Sequence, residues 1–321
     1  MKLGVLTVPL YDRSVEEAFK YLSNLGVQAV EIGTGGFPGN THLNPLEALA
    51  NPQKIDELKG LLSKYNLTIS ALSCHGNPVH PNKDTAQSYH TDFVNTCKLA
   101  EKLGIDTVVS FSGCPGDHDG AKFTNWITSA WPGEFLEILK YQWDDILIPY
   151  WKDAADLAAN HGVTKIALEM HPGFCVYNPH TLLKLRNAVG PAIGANFDPS
   201  HLFWQGIKPT EAIKALKGAV YHFHAKDTRI DPFNAAVNGT LETTPYSEIL
   251  TRGWVFRTVG YGHSETEWKA IISALRATGY DGAISIEHED MLMSVEEGLE
   301  KAVDFLKPIL IRDSAADMWW V

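Results

Sequence analysis

The sequence predicts an α/β protein, a single (β/α)8 TIM barrel with long loops after strands 4 and 7. Eight short apolar runs recur along the 321 residues, and segments with helical periodicity lie between them. Strand and helix therefore alternate through the chain, as expected of a closed parallel barrel. A doubly wound open sheet is the alternative, but no GxGxxG motif follows the first run.

The eight runs are nearly continuous in apolar residues rather than alternating. This pattern suits a sheet that helices cover outside and that its own side chains fill inside. In chain order the predicted strands cover 2–8, 28–33, 68–74, 107–113, 165–171, 193–199, 219–227 and 282–288.

The segments between the runs predict amphipathic helices, of which several end in glycine. Three helix starts carry the Ser-x-x-Glu pattern of a capping box, in which the serine hydroxyl and the glutamate carboxylate satisfy backbone N–H groups. The three pairs are Ser14 with Glu17, Ser264 with Glu267, and Ser294 with Glu297.

Two connections, residues 114–145 and 228–263, are too long for simple turns. Both follow strand ends at the C-terminal face of a barrel, so we expect substrate walls or lids; a dimer contact or plain decoration remains open. The domain assignment is a barrel over 1–311 and a tail over 312–321, whose WWV ending should dock on the body or on a partner.

The composition excludes several classes of protein. Lys and Arg number 27 against 38 Asp and Glu, a net charge of -11 that argues against a nucleic-acid partner. Four scattered cysteines form no CxxC pair, which predicts reduced thiols. The N-terminus has no signal-peptide pattern, and no stretch reaches the roughly 18 apolar residues of a membrane span. The expectation is a cytoplasmic protein with no membrane partner.

Charged residues gather where the later strands end. The four strand ends carry Glu169 and His171; Asp198 and His201; His222, His224, Lys226 and Asp227; and Glu287. Charges inside a barrel are costly unless they are paired or bound to an ion, and carboxylates from adjacent strands would repel each other. A divalent metal would resolve this conflict.

Strand parity selects the ligands, because side chains two residues apart share a face. His222 is then a deeper layer residue, and His288 faces the helices. The predicted metal set is Glu169, Asp198, His224 and Glu287. Oxygen-rich ligands with one imidazole favour Mn2+ or Mg2+, with Co2+ or Zn2+ as alternatives. Asp227 and Asp290 are interpreted as cap or loop residues, and His75, His80, His90, His118 and His180 mostly as surface residues.

The segments IALEMHPG, NFDPSH, HFHAKDTR and ISIEHED resemble the sugar-phosphate isomerase/epimerase group of xylose-isomerase-like barrels, over almost the whole chain. The resemblance implies the same four ligands, and a His201 that contacts substrate or supports the metal. It also implies proton abstraction next to a carbonyl through an enediolate, with Glu169 and Glu287 as acid and base.

The EMHPG segment, the long Trp-bearing loop and the closing IEHED also resemble the catalytic subunits of C-glycoside deglycosidases, which cleave 3-keto-glycosides by β-elimination. His171 would be a base that is not a ligand, with an ordinary pKa near 6.5. Trp126 and Trp131 would cover an aglycone, or simply pack. Lys226, Arg229 and Arg257 are further substrate-binding candidates, and either arginine could hold a phosphate or pair with a carboxylate.

The partners and the alternative functions follow from these resemblances. The expected partner is a small-molecule sugar or keto-glycoside, and a homo-oligomer or a small second subunit stays open. A DNA enzyme like endonuclease IV would need more histidines and a less acidic chain. A non-catalytic sugar-binding protein would exchange no substrate hydrogen.

Overall fold

The computed structural model describes residues 1–313 and residue 320. Its ten strands are β1 (Lys2–Leu6), β2 (Ala29–Gly33), β3 (Thr68–Ser73), β4 (Thr107–Phe111), β5 (Lys165–Glu169), β6 (Ile193–Phe197), β7 (Val220–Ala225), β8 (Asp227–Ile230), β9 (Trp254–Arg257) and β10 (Ala283–Ile286). β1 to β7 and β10 form one closed parallel barrel, in which β10 pairs with β7 and β1. The predicted barrel and its eight strands are confirmed.

Helices surround the barrel. The described part of the chain contains α1 (Val15–Leu25), α2 (Pro45–Ala50), α3 (Pro52–Lys64), α4 (Lys83–Leu103), α5 (Glu134–Lys140), α6 (Ile148–Asn160), α7 (Pro179–Val189), α8 (Pro199–Phe203), α9 (Pro209–Ala215), α10 (Pro232–Asn238), α11 (Glu265–Ala277) and α12 (Val295–Leu306). A 3-10 turn covers Val8–Leu10, and a π-helix covers Tyr141–Leu147. None of the helices in residues 1–313 combines the length and apolar character needed to cross a membrane.

Two of the three predicted capping boxes form completely, at Ser14 and at Ser264. The third forms by half. The Ser294 hydroxyl accepts from the backbone N–H of Glu297, but the Glu297 carboxylate lies 3.4 Å from Lys301 Nζ. The Glu297 carboxylate pairs with Lys301, one turn further along the helix, and so does not reach back to the backbone N–H of Ser294.

The apolar core lies between the barrel and its helices, where Trp151, Trp268 and Phe93 are fully buried. Inside the barrel a small apolar cluster of Ala71, Val109 and Ala167 forms. Polar side chains lie at the carboxyl ends of the strands, where Glu169 follows Ala167 by two residues on the same face. The barrel interior therefore changes from apolar to charged toward its C-terminal face.

The two long loops have their own structure. The loop after β4 leads into α5, and its Trp131 is 80% exposed. The loop after β7 contains α10 and an antiparallel hairpin of β8 and β9, which the sequence analysis did not predict. In the WWV ending, residues 319 and 321 lie outside the described residues, and Trp320 is exposed.

Asp227 and Asp290 are buried, which corrects their interpretation as cap or solvated loop residues. The Asp227 carboxylate accepts from the backbone N–H groups of Gly260, Gly262 and His263. Asp290 accepts from Arg257 and from the backbone of Thr258. These donors lie 32 to 36 residues away in sequence, so local patterns could not reveal them.

Candidate metal centre

Four side chains converge at the C-terminal end of the barrel: Glu169 at the end of β5, Asp198 after β6, His224 on β7 and Glu287 after β10. One ligand atom from each lies within 4.8 Å of the others. The first three residues are buried, whereas the Glu287 side chain is 15% exposed. This four-residue cluster is the set that strand parity predicted.

Two buried atoms of the cluster, Asp198 Oδ2 and His224 Nδ1, form no hydrogen bond of good geometry with a described residue. Asp198 Oδ2 nevertheless lies 3.2 Å from Lys226 Nζ and 3.3 Å from His201 Nε2. Asp198 Oδ1 accepts from the Ser200 backbone N–H at 2.8 Å and so caps α8, whereas Oδ2 turns toward the cluster. His224 Nδ1 lies 3.0 Å from Glu287 Oε2 and 3.2 Å from Glu169 Oε2. Three buried or nearly buried carboxylates gathered around one imidazole nitrogen and one ammonium group fit a site that holds a cation.

Glu31, which the sequence analysis missed, orients His224. Its carboxylate on β2 lies 2.9 Å from His224 Nε2, and it also accepts from Ser285 at 2.8 Å and from Ser73. Because a carboxylate only accepts, Nε2 carries a proton and Nδ1 is the atom that can bind a metal. Burial raises the pKa of Glu31, but the charges of His224 and His222 and the hydrogen bonds from His224 and Ser73 together lower it to about 2.

The charges around His224 favour a cation. Burial lowers the pKa of this imidazole, but the carboxylates of Glu31 and Glu287 raise it well above its ordinary value. The same negative charge would stabilise a divalent ion, which competes with a proton for a ligand nitrogen.

Both oxygens of Glu169 are held by donors. Oε2 lies 3.0 Å from His75 Nε2 and accepts from Asn196 at 2.9 Å, and Oε1 lies 3.0 Å from His201 Nε2. Burial raises its pKa, but the histidines around it hold the pKa well below the usual range. Glu169 is therefore an ionised carboxylate with a fixed orientation.

His75 and His201 are both buried, and both orient the Glu169 carboxylate. His75 is only 4% exposed, which corrects its interpretation as a surface residue. It follows Ser73 by two residues, so the parity rule that located His171 would also have located it. His201 lies on α8 and contacts Glu169, in agreement with a residue that supports the cluster.

His222 forms a layer below the cluster, as parity predicted. Its Nδ1 lies 3.1 Å from Asn196 Oδ1, and its Nε2 lies 3.2 Å from Ser70 Oγ. Burial lowers its pKa to about 4. The neutral ring therefore connects Asn196, which contacts Glu169, to the barrel interior.

Two cavities open onto the site. The smaller, of about 160 Å3, is called the site cavity here. The larger, of about 380 Å3, lies against the β8–β9 hairpin and is called the hairpin cavity. The site cavity is lined by His75, Phe111, Glu169, His171, Lys226, Glu287 and Glu289, together with Leu6, Val8, Phe37 and Pro38. The hairpin cavity is lined by His171, Tyr246, Ile249, Val255, Phe256, Arg257, Glu289, Met291 and Leu292.

His171 borders both cavities. Its Nδ1 donates to the Pro172 carbonyl, so the Nε2 lone pair is the one left to accept a proton. Burial, followed by the charge of His201, lowers its pKa to about 3. This corrects the ordinary pKa that the sequence suggested: the imidazole is neutral and less basic than a solvated one.

The other residues that were predicted to bind substrate lie in different places and do not form one site. Lys226 lines the site cavity, where its Nζ donates to Glu287 at 2.8 Å and to Glu289 at 2.9 Å. Arg257 lines the hairpin cavity but donates to Asp290. Arg229 is exposed on β8 and is not among the described residues that line either cavity. Trp126 lines a third cavity of about 260 Å3, with Tyr177 and Trp143.

A parallel barrel with a charged cluster at the C-terminal ends of its strands has the architecture of a TIM-barrel active site. A family model described as xylose isomerase-like TIM barrel matches residues 19–309, and the chain belongs to this family. The match confirms the resemblance seen in the strand-end segments. The uncharacterized protein YfiH of Bacillus subtilis is 41% identical over 309 residues, covering 96% of this chain and 98% of YfiH.

Solved structures share the fold at low sequence identity. The IOLI protein with a bound zinc atom has a TM-score of 0.65 and 19% identity, with 97% of this chain and 98% of that chain covered. The probable 3-DHS dehydratase AsbF of Bacillus anthracis has a TM-score of 0.65 and 18% identity, covering 96% and 99%. D-Psicose 3-epimerase of Clostridium cellulolyticum H10, solved with D-tagatose, has a TM-score of 0.61 and 14% identity, covering 96% and 98%.

Proposed function

We propose that this chain is a divalent-metal-dependent sugar isomerase or epimerase, which removes a proton from a carbon next to the carbonyl of a sugar or keto-sugar. The reaction would pass through an enediolate. The observation that carries the proposal is the four-residue cluster, of which Glu169 and Glu287 line the site cavity.

The cluster suits this chemistry. A divalent ion held by Glu169, Asp198, His224 and Glu287, with Mn2+ as first choice, would polarise the carbonyl oxygen of the substrate. The zinc in the IOLI structure supports a divalent ion on this fold. The D-psicose 3-epimerase supports sugar chemistry on the same fold.

The two glutamates differ as proton carriers. Glu169 is held by three donors, whereas the Glu287 carboxylate accepts from Lys226 at 2.8 Å and lies 3.0 Å from His224 Nδ1. Burial raises the pKa of Glu287, but the Lys226 ammonium and His224 together hold it well below the usual range, so the carboxylate is ionised. We infer that Glu287 moves the proton with less rearrangement than Glu169, and that Lys226 hydrogen-bonds a substrate hydroxyl.

The second candidate is a lyase that cleaves 3-keto-glycosides by β-elimination. The observation that favours it is the neutral His171, which is outside the four-residue cluster and borders both cavities with its Nε2 free to accept a proton. A dehydratase on the same fold also supports elimination chemistry.

The test is incubation of the Mn2+-loaded protein in D2O with a panel of ketoses and a panel of 3-keto-glycosides. Deuterium at the carbon next to the carbonyl, with the glycoside retained, supports the isomerase or epimerase. Release of the aglycone supports the lyase. If no substrate gains deuterium and none releases its aglycone, both proposals are contradicted.

A further inference from the structure

We propose that the substrate has two parts: a polyhydroxylated keto-sugar ring in the site cavity, and an uncharged apolar or aromatic substituent in the hairpin cavity. The inference rests on the proposed function, because it takes the reacting ring to lie against the four-residue cluster. It adds the chemical class of the group attached to that ring.

The sizes of the cavities support a two-part substrate. The site cavity, at about 160 Å3, is smaller than the roughly 300–1,000 Å3 typical of small-molecule sites. The hairpin cavity of about 380 Å3 adjoins it, since His171 and Glu289 form walls of both. A ligand that fills the two together is larger than a single sugar ring.

The walls of the hairpin cavity are mostly apolar. β9 contributes Val255 and Phe256, and the loop after β10 contributes Met291 and Leu292. Met291 and Leu292 are more than half exposed. Apolar side chains that surround a concavity and face solvent are typical of a ligand site, because a bound apolar group would remove them from water.

The charged side chains of the hairpin cavity are already paired. The Arg257 guanidinium donates to Asp290 and lies 5.3 Å above the Tyr261 ring. Glu289 accepts from Lys226 at 2.9 Å. A phosphate placed here would lie near the Glu289 carboxylate and would compete with Asp290 for Arg257, so an uncharged substituent fits better than a phosphate.

Calorimetry with two unreactive glycosides tests the inference on the Mn2+-loaded protein. We expect phenyl β-D-glucoside to bind about 10- to 100-fold more tightly than methyl β-D-glucoside, because the phenyl group buries more apolar area. Its heat-capacity change of binding should also be more negative. Glucose 6-phosphate should bind no more tightly than the methyl glucoside.

Two matched variants locate the effect. Val255→Trp fills the hairpin cavity and should reduce the phenyl-to-methyl affinity ratio to about one, a collapse to no preference expected of a blocked subsite. Val237→Trp makes the same replacement on α10, where the side chain is 82% exposed, and should keep the wild-type ratio.

Equal affinity of the wild type for the two glycosides overturns the inference, as does an unchanged ratio in Val255→Trp or tighter binding of the phosphate. If Val255→Trp does not fold, the wild-type ratio and heat-capacity change decide the matter. Hydrogen exchange in D2O without any phenyl preference would reject this inference and leave the proposed function standing. A phenyl preference without hydrogen exchange or glycoside cleavage would reject the proposed function and leave the apolar subsite standing.

Discussion

Each ligand of the candidate metal centre is oriented by a side chain behind it. Glu31 fixes the tautomer of His224, His75 and His201 hold Glu169, and Asp198 is held by the N-terminus of α8. Such supporting contacts keep ligand atoms in place before a metal binds and raise the basicity of a ligand imidazole. Substitutions in the four-residue cluster and in the residues that support it should therefore both weaken metal binding.

Glu287→Gln should lose metal affinity and turnover together. The amide removes a charged ligand atom from the cluster, and we expect a loss of more than about 100-fold in each, exceeding the effect of a supporting residue. Equilibrium dialysis with Mn2+ and steady-state kinetics measure the two losses. Glu289→Gln, which removes another partner of Lys226, should retain the metal affinity. Full activity in Glu287→Gln would contradict the assigned site.

Glu31→Gln should weaken metal binding without removing a ligand. The amide keeps the shape of the side chain but lowers the negative charge at His224 Nε2, so we expect a loss of about 10- to 100-fold in Mn2+ affinity. Glu211→Gln, a surface variant on α9, is the control and should bind Mn2+ like the wild type. Unchanged affinity in Glu31→Gln would mean that the β2 carboxylate plays no part in ligand orientation.

His171→Ala separates the base from the ligands. If His171 is the base, turnover should fall about 100-fold or more while Mn2+ affinity changes little, because His171 is outside the four-residue cluster. Steady-state rates and metal titrations on the same preparations give the two numbers. The exposed His118→Ala serves as the control. Activity near that of the wild type in His171→Ala would return the role of base to the glutamates.

At the scale of elements, Asp227 joins β8 to the loop that leads into α11. Besides four backbone N–H groups, it accepts from Trp268 Nε1 at 3.1 Å, and its Oδ1 lies 2.7 Å from His263 Nδ1. This cluster of donors closes the hairpin segment against the barrel. It thereby positions β9, whose side chains line the hairpin cavity.

Asp227→Ala should destabilise the protein by about 3–5 kcal/mol, because it leaves several N–H donors without a partner, each at a cost of about 1–3 kcal/mol when buried. Urea denaturation measures the change in the free energy of unfolding. Asp231→Ala removes only the N-cap of the exposed helix α10 and should cost about 1 kcal/mol. Equal effects of the two variants would contradict a specific role for Asp227 in holding the loop.

The sequence predicted the barrel strands because each is a short apolar run bounded by helical segments. It did not predict the β8–β9 hairpin, since DTRI and WVFR are short and are separated by 23 residues. The Asn238–Gly239 dipeptide between them ends α10 and does not join the two strands directly. The four ligands were predictable because charge at consecutive strand ends is a local signal. Glu31 is a similar charged residue within the apolar strand AVEIG, but it lies on β2, whereas the predicted ligands all come from the last four strands of the barrel.

At the scale of the whole molecule, closure of the barrel through β1 and β10 brings β2 near β7 and so unites Glu31 with His224, which are 193 residues apart. The apolar cluster of Ala71, Val109 and Ala167 fills the interior below, so charge is concentrated at one end. The pKa values of buried groups depend on this three-dimensional arrangement, which explains why the lowered pKa of His171 could not be predicted from EMHPG alone.

The most direct test of the metal centre is a calorimetric titration of metal-free protein with Mn2+, for the wild type and for Asp198→Asn. Asparagine is as good an N-cap as aspartate, so the variant should keep α8 while losing the charge at Oδ2. The wild type should bind one ion per chain and gain about 2.7 kcal/mol of stability at 100 times the Kd. Asp198→Asn should bind more than about 100-fold more weakly. No saturable binding by the wild type, or equal binding by the two proteins, would contradict the metal centre.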